Sequence, residues 1–303
     1  MKTVLVTGSN GLLGQKLIEF LVNQHDCRVI ATSKNPDHIT HLTGYQFELL
    51  DITNSVEVEY IISKCKPDTI INTAALTQVD RCEEKRSDCW SVNVDAVNKI
   101  ANIASKINAH LIHLSTDFIF DGYSGPYTET DEPNPLSYYG LSKLESEKMV
   151  QSLTKKWSIV RTILVYGITF NMSRSNIVLW VKDSVENNKP IRVVVDQFRA
   201  PTLVDDLAWA CGNIALQEKE GVFHISGGEI MSILEIAHKV ADFFGLDRSM
   251  ISQVSTAELN EKAKRPFKTG FILEKARNEL DYIPHTFQAG LEVVSKQLIG
   301  IGN

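Results

Sequence analysis

Thr3-Val4-Leu5-Val6-Thr7-Gly8-Ser9-Asn10-Gly11-Leu12-Leu13-Gly14 stands almost at the start of the chain, and its reading decides the fold. Residues 3–7 form a β-branched, apolar run that reads as a buried strand, and from Leu12 onward Leu13, Leu17 and Phe20 recur at helical spacing. Between strand and helix stand three glycines in the order G-x-x-G-x-x-G. In such a unit the glycines allow a tight turn, a close approach of backbone to a pyrophosphate, and close packing of helix on strand. The helix N-terminus adds unpaired N–H groups and a positive dipole end. Turns alone also recruit glycine, so it is the position after the first strand that points to a dinucleotide site built from Gly8, Asn10, Gly11, Leu12 and Gly14.

Working outward, short apolar runs at residues 28–31, 45–49, 69–72, 110–115 and 158–161 alternate with helical patterns at 56–65, 88–107 and 138–153. Strands apolar at successive positions are buried on both faces, which predicts an α/β fold with a Rossmann-type doubly wound parallel sheet. Beyond residue 166 the alternation becomes irregular, with helices expected at 175–187, 204–216, 232–244 and 287–298 and strands at 191–195 and 222–225. The expected division is a dinucleotide-binding domain at 1–165 and a smaller α/β, mainly substrate-binding domain at 166–303, with segments free to return to the first.

The 303 residues carry 31 basic and 37 acidic side chains, a net charge of −6, with no basic stripe to neutralise a phosphate backbone. Nucleic acid is therefore not expected as a partner. The apolar runs fall short of a membrane span, and Met1 leads into a strand pattern, so a cytoplasmic protein is expected. Five cysteines, odd in number and without a C-x-x-C spacing, read as reduced thiols, and no metal site is expected.

NAD-specific sites place a carboxylate at the end of the second strand to bond the ribose hydroxyls. Here that strand ends Ala31-Thr32-Ser33-Lys34, and Ser33 with Lys34 suits a 2′-phosphate, although a solvated loop fits equally well. NADP(H) is favoured and NAD(H) stays open. Asp51 and Ile52 follow the third strand as candidates for the adenine edge; a capping role is the other reading of Asp51.

Tyr139-Gly140-Leu141-Ser142-Lys143 opens a helical pattern, and residues at i and i+4 share a face, so phenol and ammonium point into one cleft. A cation beside a phenol is expected to lower its pKa and let it transfer a proton. The fifth strand ends His113-Leu114-Ser115-Thr116-Asp117, bringing hydroxyls to the carboxyl edge of the sheet, where ligands bind in such folds.

With these residues and the pairs Asp51-Ile52 and Asn72-Thr73-Ala74-Ala75, the chain resembles the extended short-chain dehydrogenase/reductases. Within them, Ser115 to Gly122, Gly125-Pro126-Tyr127, Asp196-Gln197 to Pro201-Thr202, and Arg265-Pro266 resemble the dTDP-4-dehydrorhamnose reductase family. The resemblance implies Tyr139 as general acid on a ketone oxygen, Lys143 as the group that lowers its pKa and holds the nicotinamide ribose, and Thr116 bonding the substrate oxygen. It implies backbone contacts to the cofactor from Ala74 and Ala75, and sugar contacts from Thr77 and Val79, for which a plain loop or packing role fits equally well. Asp117 joins Thr116 among the expected substrate residues. The function implied is NAD(P)H-dependent reduction of a 4-keto-6-deoxy sugar nucleotide. The alternatives are an epimerase or dehydratase of the same superfamily, or a non-catalytic regulatory subunit similar to that of methionine adenosyltransferase. A homodimer stays open.

Two departures bear on substrate. Leu164 stands where the reductases commonly carry a tryptophan, and Arg199 replaces the glycine of D-Q-x-G-x-P-T. Arg199 reads either as an anchor for a nucleotide-sugar diphosphate or as an exposed arginine before a proline turn. His113 reads as a satisfied core histidine, and Asp80, Glu83, Glu84 and Asp88 as a solvated, salt-bridged helix face. A turn role suits Asp121.

Overall fold

Val4, Leu5 and Val6 at successive positions of the first strand are fully buried, as a strand covered by helices on both sides requires. The computed structural model describes residues 1–172 and 174–301, the side chain of Ile301 excepted. In chain order the first half comprises β1 (Lys2–Thr7), α1 (Leu12–Val22), β2 (Cys27–Ser33), β3 (Tyr45–Leu49), α2 (Ser55–Cys65), β4 (Thr69–Asn72), α3 (Val79–Glu84), α4 (Arg86–Trp90), a π-helical turn Ser91–Asp95, α5 (Ala96–Lys106), β5 (His110–Thr116), α6 (Tyr138–Leu153) and β6 (Trp157–Thr162). The second half comprises β7 (Val165–Tyr166), α7 (Ile177–Glu186), β8 (Ile191–Val194), β9 (Phe198–Arg199), β10 (Thr202–Leu203), α8 (Val204–Gln217), β11 (Gly221–Ile225), β12 (Met231–Ser232), α9 (Ile233–Phe244), β13 (Ile251–Val254), α10 (Glu274–Leu280) and α11 (Phe287–Ile301).

The main sheet is parallel, in the order β11-β6-β5-β4-β1-β2-β3. From β1 the chain winds outward through β2 and β3, and from β4 it winds the other way through β5 and β6. The switch point lies between the carboxyl ends of β1 and β4, the place where doubly wound sheets bind ligands. Residues of α1 and α8 pack on one face of the sheet, and residues of α2 and α5 on the other. A third apolar cluster joins α7, α9 and α11 in the second half.

Two sequence expectations need correction. The strand expected at 222–225 within the smaller domain is the edge strand of the main sheet, paired Gly221 to Ser158 through Ile225 to Thr162. The helix expected at 88–107 is interrupted by the π-helical turn, where Asn93 turns inward to partners described below. Among the described residues no helix is long and apolar enough to cross a membrane.

Candidate active site

The β1–α1 turn is shaped to admit a ligand rather than a side chain. A Cβ on Gly14 would lie 2.3 Å from the Gly8 carbonyl oxygen, so the helix can sit this close to the turn only with glycine there. Gly11 caps α1 without a side-chain bond, which leaves the first N–H groups of the helix free for an anion. Asn10 serves the turn from behind. Its Nδ2 donates to the Pro36 carbonyl (2.8 Å) and to Ser33 Oγ (3.1 Å), and its Oδ1 accepts from His38 N (3.1 Å), tying the glycine turn to the loop after β2.

Ser33 is buried at the end of β2, whereas Lys34 is exposed beside it. Burial works against the charge of Asp51, yet hydrogen bonds from Thr53 and the charge of Lys34 hold its carboxyl below the usual value. Asp51 thus shapes the turn before α2, while Ile52 is part of the core. Ala74 and Ala75 lie half-buried just past β4, and Ala74 N donates to Thr7 Oγ1 at 3.4 Å across the switch point.

The catalytic candidates meet at the neighbouring strand end. Ser137 caps α6 by accepting from Gly140 N (3.2 Å), which starts the helix so that Tyr139 and Lys143 both face β5. Both are buried. The Tyr139 phenol comes close to the hydroxyl of Thr116, the last residue of β5. Burial pushes the phenol above its usual range, and Thr116 offsets only part of that. Lys143 Nζ lies 3.0 Å from His113 Nε2 on β5. Burial pushes the Lys143 ammonium down to about 8, against the opposing pull of Glu147. The resting site therefore holds a neutral, protonated phenol, the state a general acid needs.

Arg199 differs from both readings of the sequence. It is 3 % exposed, not a surface residue. Its Nη1 donates to the Phe198 carbonyl (2.7 Å), its Nη2 to the Pro266 carbonyl (2.7 Å), and its Nε lies 3.6 Å from Asp117 Oδ2. A guanidinium so engaged forms the floor of the site and compensates the buried Asp117, rather than standing as an open seat for a diphosphate. Asp117 also accepts from Thr116 Oγ1 (3.1 Å) and Thr269 Oγ1 (2.5 Å). Thr77 is exposed and accepts from Arg174 Nη1 (2.9 Å), while Val79 packs with Cys82, Cys89 and Tyr139.

The acidic group at Asp80 to Glu84 is salt-bridged as expected, and its pairs reach beyond its own helix. Asp80 pairs with Arg265 (2.7 Å) and Glu84 with Lys262, joining α3 to the second half, and Glu83 accepts from Tyr138 N (2.7 Å) at the start of α6.

Sequence reading missed Asn93, which in the π-helical turn accepts from Leu76 N (2.9 Å) and donates to Ser142 Oγ (3.0 Å), fixing the loop after β4 against α6. His113 is the satisfied core histidine expected, fully buried with both ring nitrogens in contact with polar groups, and its contact with Lys143 is what the sequence did not show.

Parallel sheet, glycine turn at the switch point and a buried tyrosine–lysine pair beside it define a NAD(P)-dependent oxidoreductase of the extended short-chain class. The family model described as RmlD substrate binding domain matches residues 1–299, and the chain belongs to that family. It is 33% identical over 304 residues to the dTDP-4-dehydrorhamnose reductase of Aggregatibacter actinomycetemcomitans, covering 96% of this chain and 98% of that one. It is 32% identical over 272 residues to methionine adenosyltransferase 2 subunit beta of Bos taurus, covering 88% and 78%. The dTDP-4-dehydrorhamnose reductase of Bacillus anthracis str. Ames in complex with NADP superposes with a TM-score of 0.85 at 29% identity, covering 98% and 99%.

Proposed function

We propose that the protein reduces the 4-keto group of a nucleotide-linked 6-deoxy sugar in the cytoplasm, with NADPH the favoured reductant and NADH admissible. The observation that carries this reading is the burial of Tyr139, Thr116 and Lys143 where α6 meets the carboxyl end of β5, at the same edge of the sheet as the glycine turn. The similarity to dTDP-4-dehydrorhamnose reductases, one of them holding NADP, supports it. The open N-terminus of α1 suits the pyrophosphate and Lys34 the 2′-phosphate. Bound there, the reduced nicotinamide supplies the hydride for the carbonyl carbon. Thr116 and Tyr139 hold the carbonyl oxygen by hydrogen bonds, and Tyr139 gives its proton to that oxygen as negative charge develops on it. The Lys143 ammonium then stabilises the phenolate left behind and holds the nicotinamide ribose.

The test is NADPH consumption with dTDP-4-dehydrorhamnose. Tyr139→Phe should lower turnover by ~10²–10⁴-fold while leaving NADPH affinity unchanged; turnover of the variant within about threefold of wild type would sink the reading.

The similarity to the methionine adenosyltransferase subunit favours a second reading, a regulatory subunit without turnover of its own. Co-elution with a methionine adenosyltransferase, together with no ketone-dependent loss of NADPH, would support it against reduction.

A further inference from the structure

Behind the tyrosine–lysine pair a chain of buried polar side chains runs through the sheet. Thr7 Oγ1 donates to Asn72 Oδ1 (2.6 Å), Asn72 Nδ2 lies 3.1 Å from His113 Nδ1, and His113 Nε2 lies 2.9 Å from Ser146 Oγ and 3.0 Å from Lys143 Nζ. Thr7, His113 and Ser146 have no exposed surface, and Asn72 and Lys143 have almost none. The three strands β1, β4 and β5 each contribute one member, in register: Thr7 is opposite Asn72, and Asn72 is opposite His113.

A neutral imidazole has one N–H and one lone pair, and an ammonium has only donors. With Lys143 charged, the contact at His113 Nε2 is a hydrogen bond only if Nε2 carries the lone pair and Nδ1 the proton. That tautomer requires the Asn72 amide turned over from the orientation above, so that its oxygen accepts from Nδ1 and its nitrogen donates to Thr7 Oγ1. The Ser146 hydroxyl donates to the Lys143 carbonyl at 2.7 Å, which leaves the Nε2 lone pair to Lys143.

Resting on the reductase reading of this site, we infer that His113 is a positioning residue for the reaction: it accepts a hydrogen bond from the Lys143 ammonium and holds that charge beside Tyr139. Other titratable groups facing Lys143 are Glu147 on its own helix and Cys89 on α4. Glu147 is committed to Arg161 (2.8 Å), which leaves His113 as the neutral acceptor on the strand side. Burial and the charge of Lys143 keep His113 unprotonated. A doubly protonated pair at this distance would set two buried cations in contact.

Removing the acceptor should make Lys143 lose its proton at lower pH. A hydrogen bond to a charged group has the strength to move a pKa by about one to two units. In His113→Leu the alkaline limb of kcat should fall by about that much, with the KM for the ketone unmoved; His113→Gln, whose amide oxygen can accept, should restore it. A purely structural role would lower activity without moving the limb. The Lys143 titration itself is read by NMR on [13C]lysine-labelled protein, with Lys143→Met identifying the resonance. Identical Lys143 titration in wild type and His113→Leu, or no rescue by Gln, would overturn the assignment.

Should His113→Leu fail to fold, 15N-histidine NMR on the wild type decides. His113 Nε2 should be unprotonated at neutral pH and shift as Lys143 deprotonates, and a protonated Nε2 at neutral pH overturns the proposal. If wild type reduces no ketone while Lys143 and His113 titrate together, the positioning contact stands and it is the reductase reading that fails.

Discussion

Lys143 shows how a single buried charge sets function against stability. Its folded pKa of about 8 lies below the ordinary lysine value of about 10.4. Below about pH 8 both folded and unfolded chains hold the proton, and the folded state bears the full cost of burying it. Between the two values the unfolded chain binds more protons, so stability rises with pH across that window. Without cofactor, Lys143→Met should be more stable than wild type at pH 7 by up to about 3 kcal/mol in urea melts, and should lack the gain that wild type shows on raising the pH toward 10. Equal melts for the two proteins at pH 7 would show that the charge is not strained. Arg199 behaves in the opposite sense: Arg199→Ala leaves Asp117 buried without its cation and should cost about 3–5 kcal/mol, measured the same way. An unchanged midpoint would show that Asp117 does not rely on Arg199 for compensation. That Tyr139 and Lys143 share a buried face of α6 was legible in sequence, because residues four apart on a helix lie on one face. The burial of Arg199 and the contact of His113 with Lys143 were not, because the partners Pro266 and Lys143 lie 67 and 30 positions away in the chain.

At the scale of elements, α6 carries the proposed Tyr139–Lys143 pair, and its seating is set by one glycine. A Cβ on Gly140 would lie 2.1 Å from the Phe118 carbonyl oxygen, in the turn that follows Thr116. Backbone cannot yield as a flexible side chain does, so Gly140→Ala must push α6 away from the end of β5 and lengthen the Tyr139–Thr116 contact. Because misplacement by about 1 Å can cost about 10²-fold, kcat should fall by roughly that factor while NADPH, bound mainly at the β1–α1 turn, keeps its affinity. A variant with normal kcat would mean that the helix can shift without disturbing the pair. The start of α6 was readable from the helical pattern that begins at Tyr138. The π-helical turn before α5 was not, since it arises from Asn93 reaching Leu76 and Ser142 and not from local propensity.

Across the whole molecule the two halves are fastened to each other along α1 and at the loop after β4. Gln15 on α1 donates to the Phe170 carbonyl (2.9 Å) and accepts from Thr169 (2.7 Å), Lys16 pairs with Asp205 (3.1 Å), and Arg174 reaches Thr77. The parallel sheet was legible because doubly buried strands announce themselves by composition. The return of β11 to the sheet was not, because a five-residue apolar strand reads alike in either half.

The end of β2 is where we expect cofactor choice to be set. Asn10 binds Ser33 Oγ, so the end of β2 is held against the glycine turn and Lys34 stands exposed next to it. A ligand that binds only the folded state stabilises it by RT ln(1 + [L]/Kd), about 2.7 kcal/mol at a hundredfold excess over Kd. NADPH should therefore raise the melting temperature more than NADH at equal concentration. Ser33→Asp keeps an acceptor for the Asn10 amide, so the turn should survive, but it sets a carboxylate against the 2′-phosphate and offers one to the ribose hydroxyls of NADH. The variant should melt as wild type does without ligand and reverse the order of the two shifts. Equal shifts by both cofactors on wild type, or an unchanged order in the variant, would place discrimination somewhere other than the end of β2.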